Sequence, residues 1–289
     1  TYSNSAFDIV CKNDKVYMII GGKDLLNGKR FDKGGYILTY DYDKWSFIDP
    51  KEAQKKLNLP RNPRDYTSIA VTTDDSNDEI VYASSMGDGV IQYKNGTPVQ
   101  SYNEKNAFKE TAGGYGSGYC YIDGLAFDKN GNLWMTSSEV NHAVLVLDKA
   151  GAWHRLDIEQ LRGVYTINDI LITSTNDKWI YVPRNTPKLV MIPNSESLDE
   201  VSSYEFTTLI DTDGKELTPS NYTCVAEDKD GYIWVGTNRG AVYFTKPRIS
   251  SAEDKAATRC TRVKYTNEGN QIRNCHQCVY AVGNIPYCL

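Results

Sequence analysis

Three short acidic segments have the residue types of a calcium-binding loop. They begin at Asp128, Asp211 and Asp228, and each continues with a second Asp or Asn and then a Gly. A calcium hand requires Gly at position 6 and Glu at position 12 of the loop. Here Gly stands at position 4 in all three segments, and only the segment that starts at Asp128 has an acid, Glu139, at position 12. We therefore predict hairpin turns and no metal site.

The cysteines offer a second possible metal site. Cys275 and Cys278 form a C-x-x-C pair, whereas a structural zinc site needs four ligands and usually two such pairs. The second pair is absent, although Cys260 and Cys288 could supply ligands. An incidental pair is the favoured interpretation, a disulfide is the second, and zinc is the third. The seven cysteines are an odd number and cannot all pair within one chain.

The sequence gives little support for a nucleophilic catalytic site or for a phosphate-binding cofactor site. None of the three histidines, His142, His154 and His276, lies in a G-x-S-x-G or H-E-x-x-H motif. The glycine-rich segment 113–118 resembles a phosphate loop, but a predicted strand follows it and not the helix whose N-terminus would hold the phosphate. We predict a chain that is not an enzyme and needs no cofactor.

Charge and hydropathy exclude two further classes. The chain of 289 residues has 32 Lys and Arg against 37 Asp and Glu, a net charge of −5, so it lacks the basic surplus of a nucleic-acid-binding protein. No segment approaches the roughly 18 consecutive apolar residues of a membrane-spanning helix. We expect neither a nucleic-acid partner nor a membrane span in this chain.

The turns that resemble metal loops belong to a larger repeat. A unit recurs in which an apolar strand, an acidic turn, a second strand with a small-residue end and a third strand follow one another. Trp134, Trp179 and Trp234 each stand nine residues after an aliphatic residue, and unit starts lie 45 to 56 residues apart. The segments alternate in polarity, which indicates strands, and the best helix candidate is residues 50–59.

Units of this length with three or four strands are typical of β-propeller blades. We predict an all-β fold, a β-propeller with about five recognisable four-stranded blades, and leave open that it is a fragment of a larger propeller array. The propeller is predicted over residues 1–269, with blades near 7–50, 66–110, 120–162, 168–210 and 222–267. Residues 270–289 lack a blade hairpin pattern, and we predict an irregular tail.

One copy of the unit carries a family motif. Residues 226–244, AEDKDGYIWVGTNRGAVYF, resemble the two-component-regulator propeller repeat of Bacteroidetes, whose core is D-x-x-G-x-[IL]-W-[IV]-G-T followed by a G-[IVL] strand. The matching positions are Asp228, Gly231, Ile233, Trp234, Val235, Gly236, Thr237 and Gly240. The copy at 126–147 matches the core at Asp128, Gly131, Leu133 and Trp134, and its later residues differ from the core. The longer, irregular blades resemble the PorZ-like propeller proteins associated with type IX secretion more than the regular periplasmic sensor arrays of hybrid two-component systems.

This resemblance implies a non-enzymatic propeller in the periplasm or at the cell surface. Sensor propellers of this kind detect glycans, and the secretion-associated group sits with partner proteins and is associated with a lipopolysaccharide ligand. We therefore expect recognition of a glycan or a partner protein, within an outer-membrane or sensor complex. A protein-binding structural scaffold is the alternative, and a propeller-fold polysaccharide lyase or hydrolase is less favoured because histidines are few.

The ligand residues are expected in loops that share one face. In a propeller, loops that lead into the first strand of a blade and loops that join its second and third strands surround the central channel. Aromatic faces with Asn and Arg suit sugar rings, although Tyr is also a common strand-packing residue. The candidates for ligand binding are Tyr66, Tyr115, Tyr119, Tyr121, Arg184, Tyr222, Asn238 and Arg239.

Overall fold

The structure is a computed structural model that describes residues 6–24, 28–109, 118–263, 279–282 and 285–288. Almost all regular structure among the described residues is antiparallel β-sheet in four-stranded meanders, so the all-β propeller prediction is confirmed. The chain divides into two compact units, Thr1–Tyr165 and Thr166–Leu289. No helix among the described residues is long and apolar enough to cross a membrane.

The first sheet of unit 1 is a four-stranded antiparallel meander. Its strands, in spatial order, are β1 (Ala6–Lys12), β2 (Lys15–Ile20), β3 (Ile37–Asp41) and β4 (Lys44–Ile48). Helix α1 (Pro50–Leu57) follows, and this confirms the helix that the sequence predicts at this place. Asp49 caps the helix by accepting a hydrogen bond from the Lys51 amide, and Asn58 ends it in the left-handed conformation.

The other strands of unit 1 form one eight-stranded sheet made of two meanders. The first meander contains β5 (Tyr66–Thr73), β6 (Glu79–Gly87), β7 (Gly89–Lys94) and β8 (Thr97–Tyr102). The second contains β9 (Cys120–Phe127), β10 (Leu133–Ser137), β11 (Val144–Leu147) and β12 (Trp153–Leu156). They are joined where the end of β6 pairs with the start of β9, at Met86–Tyr121 and Gly87–Cys120.

Alternation along the strands sends side chains into two separate cores. Ile69 and Val81, in the meander of β5 to β8, face the first sheet, where they pack with Ile19 and Ile37. Their chain neighbours point the opposite way, and Ala70, Ile80 and Tyr82 pack against the meander that follows. The meander of β5 to β8 is thus covered on both faces, which is the blade-on-blade packing that the repeat predicts.

The repeated motif has a local explanation in hydrogen bonds. Asp128 accepts bonds from the backbone amides of Asn130 and Asn132, and its other oxygen accepts a bond of 2.9 Å from the indole N–H of Trp134. In unit 2 the Trp234 indole donates to Asp228 in the same way, at 2.7 Å. Each Asp therefore closes its hairpin turn and fixes the Trp of the strand that follows, so its oxygens are already used within the hairpin.

Unit 2 contains two further four-stranded meanders. One contains β13 (Ile170–Ile172), β14 (Lys178–Val182), β15 (Lys188–Ile192) and β16 (Tyr204–Phe206). The hairpin of β17 (Leu209–Ile210) and β18 (Glu216–Leu217) follows it. The other contains β19 (Tyr222–Glu227), β20 (Tyr232–Thr237), β21 (Gly240–Thr245) and β22 (Thr261–Arg262).

Two features of unit 2 differ from the sequence prediction. A short helix, α2 (Ala252–Ala257), precedes β22, and Ser251 caps it by accepting a bond from the Asp254 amide. Within the segment predicted to be irregular, β23 (Val279–Val282) and β24 (Ile285–Cys288) pair as an antiparallel hairpin. The C-x-x-C pair at 275–278 lies outside the described residues.

Candidate functional site

In unit 1, the loops that the sequence places on one face do meet. The Met86 amide at the end of β6 donates to the Asp65 carbonyl before β5, at 3.1 Å, and the Ser138 amide after β10 donates to the Tyr121 carbonyl in β9, at 3.2 Å. In both meanders the bond joins the start of the first strand, β5 or β9, to the end of the second strand, β6 or β10. Polar residues from four separate loops therefore share one end of the sheets.

Two glycines allow this close approach. Gly21 follows β2 with φ +133°, and an added Cβ would lie 2.7 Å from the Asp65 Cα. Gly87 ends β6 with φ +127°, and an added Cβ would lie 2.7 Å from the ring of Tyr119. Both backbone conformations are ones that residues with a side chain rarely adopt, so glycine is required at each place.

A buried ion pair lies at the centre of this end. Lys23, in the loop after β2, donates to the Asp123 carboxylate in β9, and both side chains are nearly inaccessible to solvent. Lys23 also donates to the Tyr121 hydroxyl at 2.9 Å, and Ser138 donates to the second oxygen of Asp123 at 2.7 Å. Burial raises the pKa of Asp123, and the Lys23 charge and the Ser138 bond act against that rise.

A second buried carboxylate, Asp65, organises the loop before β3. It accepts bonds from the Arg30 Nε at 3.0 Å and from the amides of Asp32 and Lys33 at 3.1 and 2.9 Å. Burial raises the pKa of Asp65, while the Lys33 amide bond and the Arg30 charge oppose this rise. The Arg30 Nη2 atom is buried and has no hydrogen-bond partner among the described residues.

Asp88 holds the neighbouring loop and completes a surface network. It accepts a bond of 2.8 Å from the Arg61 Nε and one of 3.1 Å from the Arg64 amide. The Arg64 side chain also lies 3.7 Å from Asp32, which in turn is paired with Arg30 at 3.0 Å. We name Arg30, Arg61 and Arg64 the arginine rim. The side chains of these three arginines are 25%, 46% and 46% exposed.

The predicted tyrosines of unit 1 lie beneath this rim and not on its surface. Tyr66 is fully buried, and its hydroxyl is 2.6 Å from that of Tyr93. Tyr121 is the partner of Lys23, and Tyr119 packs with Tyr121 and Met86. Burial raises the pKa of Tyr119 to about 12. Tyr115, like most of the glycine-rich segment, lies outside the described residues.

The remaining candidates share a second strand end, in unit 2. The Tyr222 amide donates to the Pro183 carbonyl beside Arg184, and the Asn238 amide donates to the Asn221 carbonyl, at 3.0 and 3.1 Å. Tyr222 is fully buried in the core, and Arg184 is half-buried. The exposed Asn238 is engaged with the loop before β19, since its side chain accepts from the Ser220 and Asn221 amides. Arg239 is exposed.

In the unit 1 site, hydrogen bonds and ion pairs within the protein hold the polar groups in place before any ligand binds. Its buried acids, Asp65 and Asp123, are committed to fixed cationic partners. The groups left at the surface are guanidiniums, which present planar N–H donors that match carboxylate and phosphate oxygens. Among the described residues, no three His, Cys, Asp or Glu side chains are grouped so that they could hold a metal ion.

Sequence reasoning overlooked the residues that build this site, namely Lys23, Asp123 and Arg30. A signal was present, because Asp123 interrupts the apolar strand CYIDGLAF and Lys23 directly follows an apolar strand and two glycines. A charge in such a place is expected to be paired. The partner could not be predicted, because it lies 100 residues away.

The comparisons with known proteins agree with this architecture. Stacked four-stranded antiparallel meanders define the class of β-propellers. More particularly, residues 216–239 match the family model of the two component regulator propeller, so the chain carries a repeat of that family and the resemblance is confirmed. No curated protein matches the chain significantly in sequence.

Three solved structures illustrate the fold. PorZ, a surface component of the type-IX secretion system of Porphyromonas gingivalis, has a TM-score of 0.73 at 18% identity over 90% of this chain and 35% of its own. The extracellular domain of a putative hybrid two component system from B. thetaiotaomicron has a TM-score of 0.59 at 16% identity, over 93% of this chain and 31% of its own. A virginiamycin B lyase from Staphylococcus aureus has a TM-score of 0.56 at 13% identity, over 91% of this chain and 71% of its own. The chain therefore spans about a third of the length of the first two.

Proposed function

We propose that this chain is a non-catalytic recognition module that works outside the cytoplasm, in the periplasm or at the cell surface. Its ligand is a glycan that carries acidic groups, such as lipopolysaccharide, or an acidic partner protein in an outer-membrane or sensor complex. The observation that carries the proposal is the arginine rim, which is held in place by two carboxylates and leaves guanidinium donors at the surface. The PorZ and sensor-domain folds support the same setting.

The rim is suited to binding because most of its ordering is complete before a ligand arrives. Asp65 fixes the loop of Arg30 through two backbone amides, and Asp88 fixes the loop of Arg61 and Arg64. Fixing a flexible side chain on binding typically costs about 0.5–1.5 kcal/mol, and a prepared surface avoids part of that loss.

A thermal-shift screen tests the proposal. Purified protein is melted with lipopolysaccharide, an acidic polysaccharide and a neutral polysaccharide. Specific binding at a hundredfold excess over Kd adds about 2.7 kcal/mol to the free energy of unfolding. We expect a rise in Tm with an acidic ligand, a much smaller rise for Arg64→Ala, and an unchanged rise for Lys149→Ala. Lys149 is the matched control because it is an exposed cation in the hairpin turn after β11, at the opposite end of the strands.

Two outcomes would contradict the proposal. If neither acidic ligand shifts the Tm of the wild-type chain, the arginine rim does not bind acidic groups. If the chain depolymerises a polysaccharide with saturable kinetics and Arg64→Ala abolishes the turnover, the site is catalytic and the module is an enzyme.

A further inference from the structure

An exposed aromatic ring lies in the loop that carries Arg30, within the arginine rim. Three residues of this loop are bound to Asp65, through the Arg30 Nε atom and through the amides of Asp32 and Lys33. Phe31 stands between them, and its side chain is 43% exposed. Its ring makes no aromatic or cation–π contact with any residue that the structure describes. The backbone of Phe31 is therefore held from both sides, while its ring remains accessible to a ligand.

The Phe31 loop lies against the segment that carries Arg64. Gly34 and Arg64 form an isolated antiparallel β-bridge, which brings the two segments side by side. The Oδ1 atom of Asp32 is 3.7 Å from the Arg64 Nη1 atom. Phe31 is the chain neighbour of Asp32, and consecutive Cα atoms are about 3.8 Å apart. Phe31, Asp32 and Arg64 therefore form one small patch, which we name the Phe31 patch.

The balance of charge around the Phe31 patch favours a ligand group with a single negative charge. The three arginines of the rim are matched in number by the carboxylates that they contact, those of Asp32, Asp65 and Asp88. Lys33 is exposed and forms no ion pair with a described residue, so this group of charges has an excess of one positive charge. A phosphate monoester carries about −1.5 to −2 charges at neutral pH, whereas a carboxylate carries a single one. A carboxylate therefore matches the patch better than a phosphate does.

The remaining groups of the patch suit a sugar ring. Asp32 is 61% exposed, and its Oδ2 atom has no hydrogen-bond or ion-pair partner among the residues that the structure describes. A carboxylate oxygen accepts hydrogen bonds, and the hydroxyl groups of a sugar can donate them. The Phe31 ring offers an apolar surface to the C–H groups on one face of a pyranose ring.

Other acidic ligands use these groups less fully. An acyl chain that ends in an acid would contact Phe31 but would bring no donor to Asp32. The centre of a protein–protein interface is normally poor in charged residues, whereas Phe31 stands directly between two of them. A sugar ring that carries a carboxylate is the ligand that engages the aromatic ring, the acceptor and the guanidinium together.

We propose that the Phe31 patch binds a sugar acid, that is, a pyranose ring that carries a carboxylate, as in a uronic acid residue. The ligand carboxylate accepts hydrogen bonds from Arg64, a ring hydroxyl donates to Asp32, and one face of the ring packs on Phe31. This inference rests on the proposed function, because it concerns the same rim. It narrows the acidic group to a carboxylate on a sugar ring and assigns the selection of that ring to Phe31.

Isothermal titration calorimetry of the full chain tests the charge and the ring separately. The probes are the trimers of galacturonic acid and of mannuronic acid, which differ in the orientation of their hydroxyl groups. Their methyl esters keep the rings but lack the charge, and glucose 6-phosphate carries a phosphate in place of the carboxylate. We expect at least one acidic trimer to bind the wild type about tenfold or more tightly than its methyl ester and than glucose 6-phosphate.

Variants of the aromatic residue test its role. Phe31→Ala should weaken binding of the acidic trimer about tenfold, and Phe31→Tyr, which keeps the ring, should bind it like the wild type. Tyr42→Ala is the matched control, because Tyr42 is 91% exposed but lies in the turn between β3 and β4, at the opposite end of the strands. It should also bind like the wild type, and all three variants should keep the wild-type circular dichroism.

The possible failures of this inference and of the proposed function can be told apart. The inference is overturned if neither acidic trimer binds better than its methyl ester, a comparison that needs no variant. It is also overturned if Phe31→Ala binds the trimer as tightly as Tyr42→Ala does. If only phosphate-bearing ligands bind, and Arg64→Ala removes that binding, the inference fails while the proposed function stands. If no acidic ligand binds the wild type, both fail.

Discussion

The Lys23–Asp123 pair offers the sharpest test of how the candidate site is built. Asp123→Ala removes the carboxylate and leaves an ammonium group in a place where the Lys23 side chain is only 3% exposed. The Tyr121 hydroxyl stays within reach of Lys23 but carries no neutralising charge. Breaking a buried ion pair from one side typically destabilises a protein by about 3–5 kcal/mol.

Thermal unfolding followed by circular dichroism measures this effect. For a unit of 150–250 residues each kcal/mol lowers the Tm by roughly 2–4 °C, so Asp123→Ala should melt roughly 6–20 °C below the wild type. The double variant Lys23→Met/Asp123→Leu removes both charges and fills the space with apolar atoms. It should melt close to the wild type, because a buried ion pair and a hydrophobic pair of similar volume are often equivalent in stability.

The control is an exposed pair in the same unit. Lys149 lies 3.4 Å from Asp75, and these side chains are 69% and 93% exposed, so Asp75→Ala should leave the Tm unchanged. The reasoning is refuted if Asp123→Ala also melts like the wild type. It is equally refuted if the double variant is as unstable as Asp123→Ala, because the loss would then not come from an uncompensated charge.

Three further predictions concern stability. Trp134→Phe removes the indole N–H bond to the turn carboxylate and should lower the free energy of unfolding by about 1–3 kcal/mol, as measured by urea denaturation. Gly87→Ala forces a left-handed φ on alanine and places its Cβ 2.7 Å from an aromatic ring, so it should cost about 1–3 kcal/mol, and an unchanged urea midpoint would contradict the stated backbone requirement. Lys94 lowers the pKa of Asp74 and Asp78 through its hydrogen bonds, so their contribution to stability is present above their ordinary pKa and is lost as pH falls through the lowered values. Between pH 5 and pH 2 the Tm of the wild type should therefore fall towards that of Lys94→Met. A Tm difference between the two proteins that stays constant over this pH range would contradict the prediction.

The repeat could be predicted from sequence because its signals are local. Strand alternation, the Asp–Gly turn and the Trp that follows all lie within one hairpin, and the Asp128–Trp134 bond spans only six residues. The same locality applies to α1, whose cap at Asp49 is adjacent to its first turn. Features of this kind depend on backbone preferences and on the period of the hydrophobic pattern, and both can be read from a single sequence.

The site could be predicted only in part, because its chemistry depends on long-range pairing. The sequence indicated which loops share an end, and the bond from the Met86 amide to the Asp65 carbonyl shows that two of them meet in unit 1. It could not indicate that Tyr66 and Tyr222 would point into cores, since a strand residue faces either side according to register. Nor could it pair Lys23 with Asp123, because 100 residues and six strands separate them along the chain.

Hydrogen exchange of the wild-type chain with and without the carbohydrate part of lipopolysaccharide tests the central claim most directly. The account predicts that the ligand slows exchange of the amides in residues 28–33, 61–65 and 86–88, which form and support the arginine rim, and leaves the turns at 128–131 and 148–151 unchanged. Protection of those opposite turns instead, or none at the rim at a ligand concentration that shifts the Tm, would contradict it.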